Sequence, residues 1–108
     1  MGLVFYRTNS SYYMFYQSNE PGYVGCYLEK WTGTQRVNIA SISAGCDNIG
    51  ANQKFSMSAS VKNGQIIGVI NGKQVFNVTD SSFTQGTVGV YSHQNEGFAD
   101  NIVVSLIP

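Results

Sequence analysis

From Phe55 onward the chain alternates: Phe55, Met57, Ala59 and Val61 are apolar, and Ser56, Ser58, Ser60 and Lys62 between them are polar. A period of two marks a strand with one face in a core and the other in water. The run ends at Asn63-Gly64, and a second such pair, Asn71-Gly72, follows after a short apolar stretch. Asn-Gly suits the two-residue type I′ turn, whose central residues both need positive φ and whose twist matches its strands. Two such turns predict a three-stranded meander. The first sets the register, with Lys62 opposite Gln65, Val61 opposite Ile66, Ala59 opposite Gly68 and Met57 opposite Ile70, so that apolar meets apolar on one side. The other side would carry Ile67, Val69, Phe76 and Val78, apolar where a solvated face is polar; such a patch marks a protein contact or a surface covered by a loop.

The same reading predicts strands from Leu3 to Arg7, Tyr12 to Gln17, Tyr23 to Lys30, Arg36 to Ile42, Thr87 to Ser92 and Phe98 to Leu106. Between them lie turn-forming clusters such as Asn-Ser-Ser, Glu-Pro-Gly and Thr-Gly-Thr. No stretch has the period of an amphipathic helix. About nine short strands in a chain of 108 residues predict an all-β fold: one domain, an antiparallel two-sheet β-sandwich of sandwich or jelly-roll type.

Charge is sparse. Six basic and six acidic side chains cancel, and Ser, Asn, Gln and Thr, about a third of the residues, supply the polarity. This argues against a nucleic-acid or membrane-surface partner, both of which call for a basic patch. No apolar run reaches the length of a membrane span, and no export signal is visible at Met1-Gly2-Leu3. Uncharged polar residues and seven tyrosines suit an extracellular or cell-surface β protein. The two cysteines allow one disulfide or two buried thiols. A hairpin turning near Thr32-Gly33 would put residue 39 or 40 opposite Cys26, leaving Cys46 to reach it only by a loop folding back.

The segments "GLVFYR", "YYMFYQ", "YLEKWTG" and "INGKQVFNVTDSSFTQGTVGVYS" with "FADNIVV" resemble the later strands of concanavalin A-like jelly rolls. Laminin-G-like domains and the family named for 3-keto-disaccharide hydrolase are the most similar. The resemblance implies a compact jelly roll in which the family's early strands, those before "GLVF", have no counterpart, so that edges or core would need other cover. It also implies a calcium site at the sandwich rim, for which Asp47, Asn48, Asp100 and Asn101 are the available donors; Asp and Asn stabilising their own turns is the plainer reading.

Catalytic chemistry finds little support. A glycosidase needs two carboxylates flanking a cleft, and of Glu20, Glu29, Asp47, Asp80, Glu96 and Asp100 only Glu29 falls mid-strand. His93 is the sole histidine, and no Gly-x-Ser-x-Gly elbow accompanies it. The aromatics say more. If Tyr13, Phe15, Val24, Cys26 and Leu28 point inward, then Tyr12, Tyr16, Tyr23, Tyr27, Glu29 and Trp31 share the opposite face, with Tyr6 nearby and Gln17, Asn38 and Arg36 within reach. Sugar rings stack their C–H faces on Tyr and Trp while polar neighbours take the hydroxyls. The expectation is a non-catalytic glycan-binding domain using Tyr16, Tyr27, Glu29, Trp31 and Arg36. The competing expectations are a protein-interaction module that pairs with itself, a homodimer, and a keto-sugar or glycoside hydrolase.

Overall fold

The computed structural model describes residues 2–18, 21–42, 46, 54–91 and 98–107, with side chains throughout except at 98–102. The strands are β1 (Gly2–Arg7), β2 (Tyr12–Ser18), β3 (Gly25–Trp31), β4 (Arg36–Ile42), β5 (Lys54–Lys62), β6 (Gln65–Ile70), β7 (Lys73–Thr79), β8 (Thr87–Tyr91) and β9 (Phe98–Ile107). They form two sheets, ordered β4-β3-β2-β1-β8 and β7-β6-β5-β9. Each sheet is a meander of consecutive strands extended at one edge by a strand from the end of the chain. None of the described elements is a helix, so none is long and apolar enough to cross a membrane.

Both Asn-Gly corners do what their chemistry asks. Asn63 and Gly64 have φ of 52° and 83°, and Asn71 and Gly72 have 51° and 79°. The β5–β6 register has Lys62 opposite Gln65, Val61 opposite Ile66, Ala59 opposite Gly68 and Met57 opposite Ile70, as the alternation predicts. One pairing lies outside the antiparallel expectation: β9 runs parallel to β5.

The core lies between the sheets. Leu3, Phe5, Tyr13, Phe15, Cys26 and Leu28 face Phe55, Met57, Ala59, Val61, Ile66, Ile70 and Phe76, all buried. Phe15 meets Phe76 edge-on with ring centroids 5.5 Å apart and planes at 79°, worth about 1 kcal/mol beyond the area the rings bury. Gly68 makes room for this pair: a Cβ there would stand 2.9 Å from the Phe15 ring.

Phe76 and Val78 therefore do not share an outer face with Ile67 and Val69. The predicted two-residue turn at Asn71-Gly72 would pair Ile67 with Phe76, but the register slips between Val69–Gln74 and Gly68–Phe76, leaving Val75 as the extra residue of a bulge. One residue of slip moves every later side chain to the other face. Phe76 is 4% exposed and Val78 packs against the core, while Asn77 comes opposite Ile67. Ile67 and Val69, half-buried, keep the outward orientation beside Ser58 and Ser60.

Cys26 and Cys46 are joined in a buried disulfide with Cα atoms 5.7 Å apart. The hairpin register differs from the expected one. The corner closes through Thr32 N–H to the Gln35 carbonyl, and a shift between Leu28 and Glu29 adds a residue on β4, so Cys26 lies opposite Ile42. Cys46 is then only four residues past the paired position, and the Gln17 side-chain amide donates to its carbonyl. Gln17 is thus an interior residue, not one available on the aromatic face. Val24, expected inside, precedes β3 and is exposed.

A polar knot ties the segment after β7 to the first sheet. The Tyr13 hydroxyl donates to Asp80 Oδ1, and Lys30 Nζ lies 2.9 Å from Asp80 Oδ2 and 2.7 Å from Ser82 Oγ. The amides of Ser82 and Phe83 donate to Asp80 Oδ1 and to the Tyr13 oxygen. Burial alone would raise the Asp80 pKa, but the donors from Tyr13, Lys30 and Ser82 outweigh it and hold the carboxyl well below the usual range. Tyr13 is pushed up, by burial first and then by the Asp80 carboxylate.

Candidate functional site on the outer face of the five-stranded sheet

Cross-strand pairing fixes which side chains meet on this face. Tyr16 is opposite Tyr27, Met14 opposite Glu29, Tyr12 opposite Trp31, and Trp31 opposite Arg36. Because residues two apart share a face, Tyr12, Met14 and Tyr16 form one row and Tyr27, Glu29 and Trp31 the next, with Arg36, Asn38 and Ser41 beyond. All five residues predicted to bind a ligand, Tyr16, Tyr27, Glu29, Trp31 and Arg36, are brought together.

At one end the Tyr16 and Tyr27 rings stack, centroids 5.2 Å apart and planes 23° from parallel. The Tyr16 hydroxyl donates to Glu29 Oε2 at 3.0 Å. Arg36 Nε lies 3.3 Å from Glu29 Oε1, near enough for attraction between charges yet off the line of a hydrogen bond. Glu29 is thus a buried carboxylate at the centre of the face, held by a phenol on one side and a guanidinium on the other. The Tyr16 pKa is raised, by burial first and then by the charge and hydrogen bond of Glu29; Tyr27 is raised by burial, then by Tyr23 and Glu29. Neither phenol ionises near neutrality, so both present neutral rings and hydroxyl donors.

The face continues over β1 and β8. A groove of about 270 Å³ is lined by Val4, Arg7, Tyr12, Met14, Arg36, Gly89, Val90 and Tyr91. Its floor is low because small residues sit there. Gly2 is opposite both Tyr16 and Tyr91, and Val4 is opposite both Met14 and Gly89. A Cβ on Gly2 would meet Tyr16 Cβ at 2.6 Å, whereas one on Gly89 would meet nothing within 4 Å. The result is an apolar trough between Tyr12 and Tyr91 with a guanidinium toward Arg36 and another at Arg7.

The sequence reading left out Val4, Arg7, Met14, Gly89 and Tyr91. Simple alternation along β1 puts Arg7 inside with Leu3 and Phe5, but the chain bulges at Tyr6, which has φ of 51°, and the pairing to β8 shifts between Val4 and Arg7. Tyr6 turns into the core instead of standing beside the aromatic face, and Arg7 turns out. The adjacent Phe5-Tyr6, two aromatics in a row, was the available signal.

Of the calcium donors, Asp47 and Asn48 lie outside the described residues, as do His93, Glu20 and Glu96. Asp100 and Asn101 belong to the backbone of β9, where Asn101 is opposite Ser56, and not to a turn. Among the described residues no three of His, Cys, Asp and Glu come together as a metal-binding group. Glu29 and Asp80 lie on opposite faces of the first sheet, one outside with Tyr16 and one inside with Tyr13 and Lys30, so they do not flank a common cleft.

Comparison with known proteins gave no match: no family model, no curated protein and no solved structure aligns with this chain.

Proposed function

We propose that the chain is a non-catalytic, carbohydrate-binding domain of concanavalin A-like character whose ligand lies along the outer face of the five-stranded sheet. One observation carries the reading: four aromatic side chains, Tyr12, Tyr16, Tyr27 and Trp31, are arrayed in register around a buried Glu29 paired with an exposed Arg36, and run into an apolar groove. Trp31 and Tyr12 offer stacking surface, and Arg36 and Asn38 offer donors to ring hydroxyls. Glu29, one oxygen accepting from Tyr16 and the other beside Arg36, orients those two side chains more than it meets the sugar. The disulfide fits an oxidising, extracellular setting. Titration against a panel of oligosaccharides, wild type beside Trp31→Ala, is the test: the substitution should cost about 1–3 kcal/mol of binding, and silence toward every sugar would remove the proposal.

A second reading is favoured by a separate observation. Val88 and Val90 on β8 and Val103 and Ile107 on β9 are 54%, 61%, 55% and 52% exposed, and these two strands are the sheet edges on the same side of the sandwich. Apolar edge strands pair readily with another strand. A second copy of the chain, seated edge to edge, would cover them. Light scattering then gives a dimer that Val90→Lys or Val103→Lys dissociates, and a monomer at all concentrations rules this assembly out.

A further inference from the structure

The bulge at Tyr6 is costly and specific. A tyrosine at φ of 51° is in a region that side-chain-bearing residues avoid, and such strain persists only where surrounding structure enforces it. Here Gly86 accommodates it. It has φ of 142° and packs so tightly on the bulge that a Cβ would fall 2.4 Å from the Tyr6 carbonyl carbon and 2.6 Å from the Arg7 nitrogen and oxygen. The consequence is the orientation of one side chain. Without the bulge Arg7 would follow Leu3 and Phe5 inward; with it, Arg7 lines the groove.

Arg7 forms no ion pair among the described residues, unlike Lys30, which is held by Asp80. Arg36 approaches Glu29 through Nε and is 66% exposed. Among the described side chains of this face, Glu29 is the one carboxylate, already engaged by Tyr16 and Arg36. The groove is thus an apolar, aromatic-walled trough with an uncommitted guanidinium at Arg7 and a partly committed one at Arg36.

Resting on the carbohydrate-binding reading, we propose that this groove selects acidic saccharides, with Arg7 and Arg36 holding the carboxylates of a uronate-bearing oligosaccharide. Guanidinium and carboxylate match as two parallel hydrogen bonds, a geometry that lysine does not reproduce. Tyr12 and Tyr91 would flank the sugar rings while Val4, Met14 and Gly89 leave the floor open beneath them.

The test compares a short oligogalacturonate with its fully methyl-esterified form, which keeps the sugar backbone and removes the charge, by calorimetric titration at low and high salt. The acid should bind about tenfold or more tightly than the ester, the preference should shrink with salt, and Arg7→Gln should abolish it while Arg7→Lys restores only part. Arg7 is exposed, so Arg7→Gln keeps the wild-type urea midpoint, which is measured alongside. Equal binding of acid and ester, or a preference untouched by Arg7→Gln, overturns this proposal and leaves carbohydrate binding standing. A sulfated neutral oligosaccharide bound better than the uronate overturns the carboxylate assignment. Absence of binding to these and to every neutral sugar overturns both.

Discussion

Removing the Cys26–Cys46 bond tests how much of this sandwich's stability comes from a constraint on the unfolded chain. The cysteines are 20 residues apart. Closing a loop of that size removes about 11 cal/mol/K of chain entropy from the unfolded state, or about 3 kcal/mol at 25 °C. Both sulfurs are buried in the core, so replacing the cysteines with alanine adds a packing loss to this entropic one. With a urea slope of about 1.5 kcal/mol/M, Cys26→Ala/Cys46→Ala should therefore unfold at least about 2 M earlier than the oxidised wild type. Tryptophan fluorescence follows the transition, because Trp31 lies on β3 with Cys26. Wild type unfolded in reductant should move toward the double variant, whereas the variant itself should ignore reductant. Midpoints that agree within about 0.5 M would show that the cross-link contributes no loop-closure stability and that this account of its role is wrong.

Three further predictions concern side chains that are buried or part-buried. Because Asp80 titrates below its ordinary range when folded, its contribution is present above the unfolded-state value of about 4 and is lost as pH falls from there toward the lower folded value. Asp80→Asn should be less stable than wild type at pH 7, and the two urea midpoints should converge in acid; midpoints that stay equally separated down to pH about 2 would refute the linkage. On the alkaline side Tyr13 and Tyr16 are raised when folded, so both resist ionisation and wild-type stability should decline above pH about 10. Tyr13→Phe and Tyr16→Phe should each flatten that decline in a midpoint-against-pH series. Gly68→Ala should cost about 1–3 kcal/mol by forcing Phe15 and Phe76 apart, with a loss of aromatic near-ultraviolet dichroism; a neutral substitution would mean that the ring pair has slack.

The legible parts of the fold are those where one local rule acts alone. The β5–β6 hairpin has an unambiguous turn and a strict alternation, and its register follows from these two features. Bulges defeat the same reasoning, because they arise where the local pattern is satisfied in two ways. Phe5-Tyr6 and Val75-Phe76 each put two large apolar side chains side by side, and strict alternation must expose one of them. The chain instead inserts a residue and buries both. That trade is decided by what each insertion packs against: Phe15 across the core and the space above Gly68 in one case, Tyr13 on the neighbouring strand with Gly86 in the other. The aromatic face was legible because β2 and β3 carry no such insertion, and Arg7 was not because it lies just past one. The parallel β5–β9 pair could not be read locally at all, since nothing in either segment specifies a partner some forty residues away.

Sheet order also fixes when the molecule can be assembled. The two meanders, β1 to β4 and β5 to β7, have short connections and can form as soon as their own residues are available. Yet β1 has its second neighbour in β8, and β5 has its second neighbour in β9. A chain emerging from the ribosome holds two incomplete layers until residues 87–107 arrive. Completion is therefore a late, long-range event, slow by the measure of sequence separation, and a ribosome stalled before Thr87 would display two open ribbons to whatever chaperones attend it.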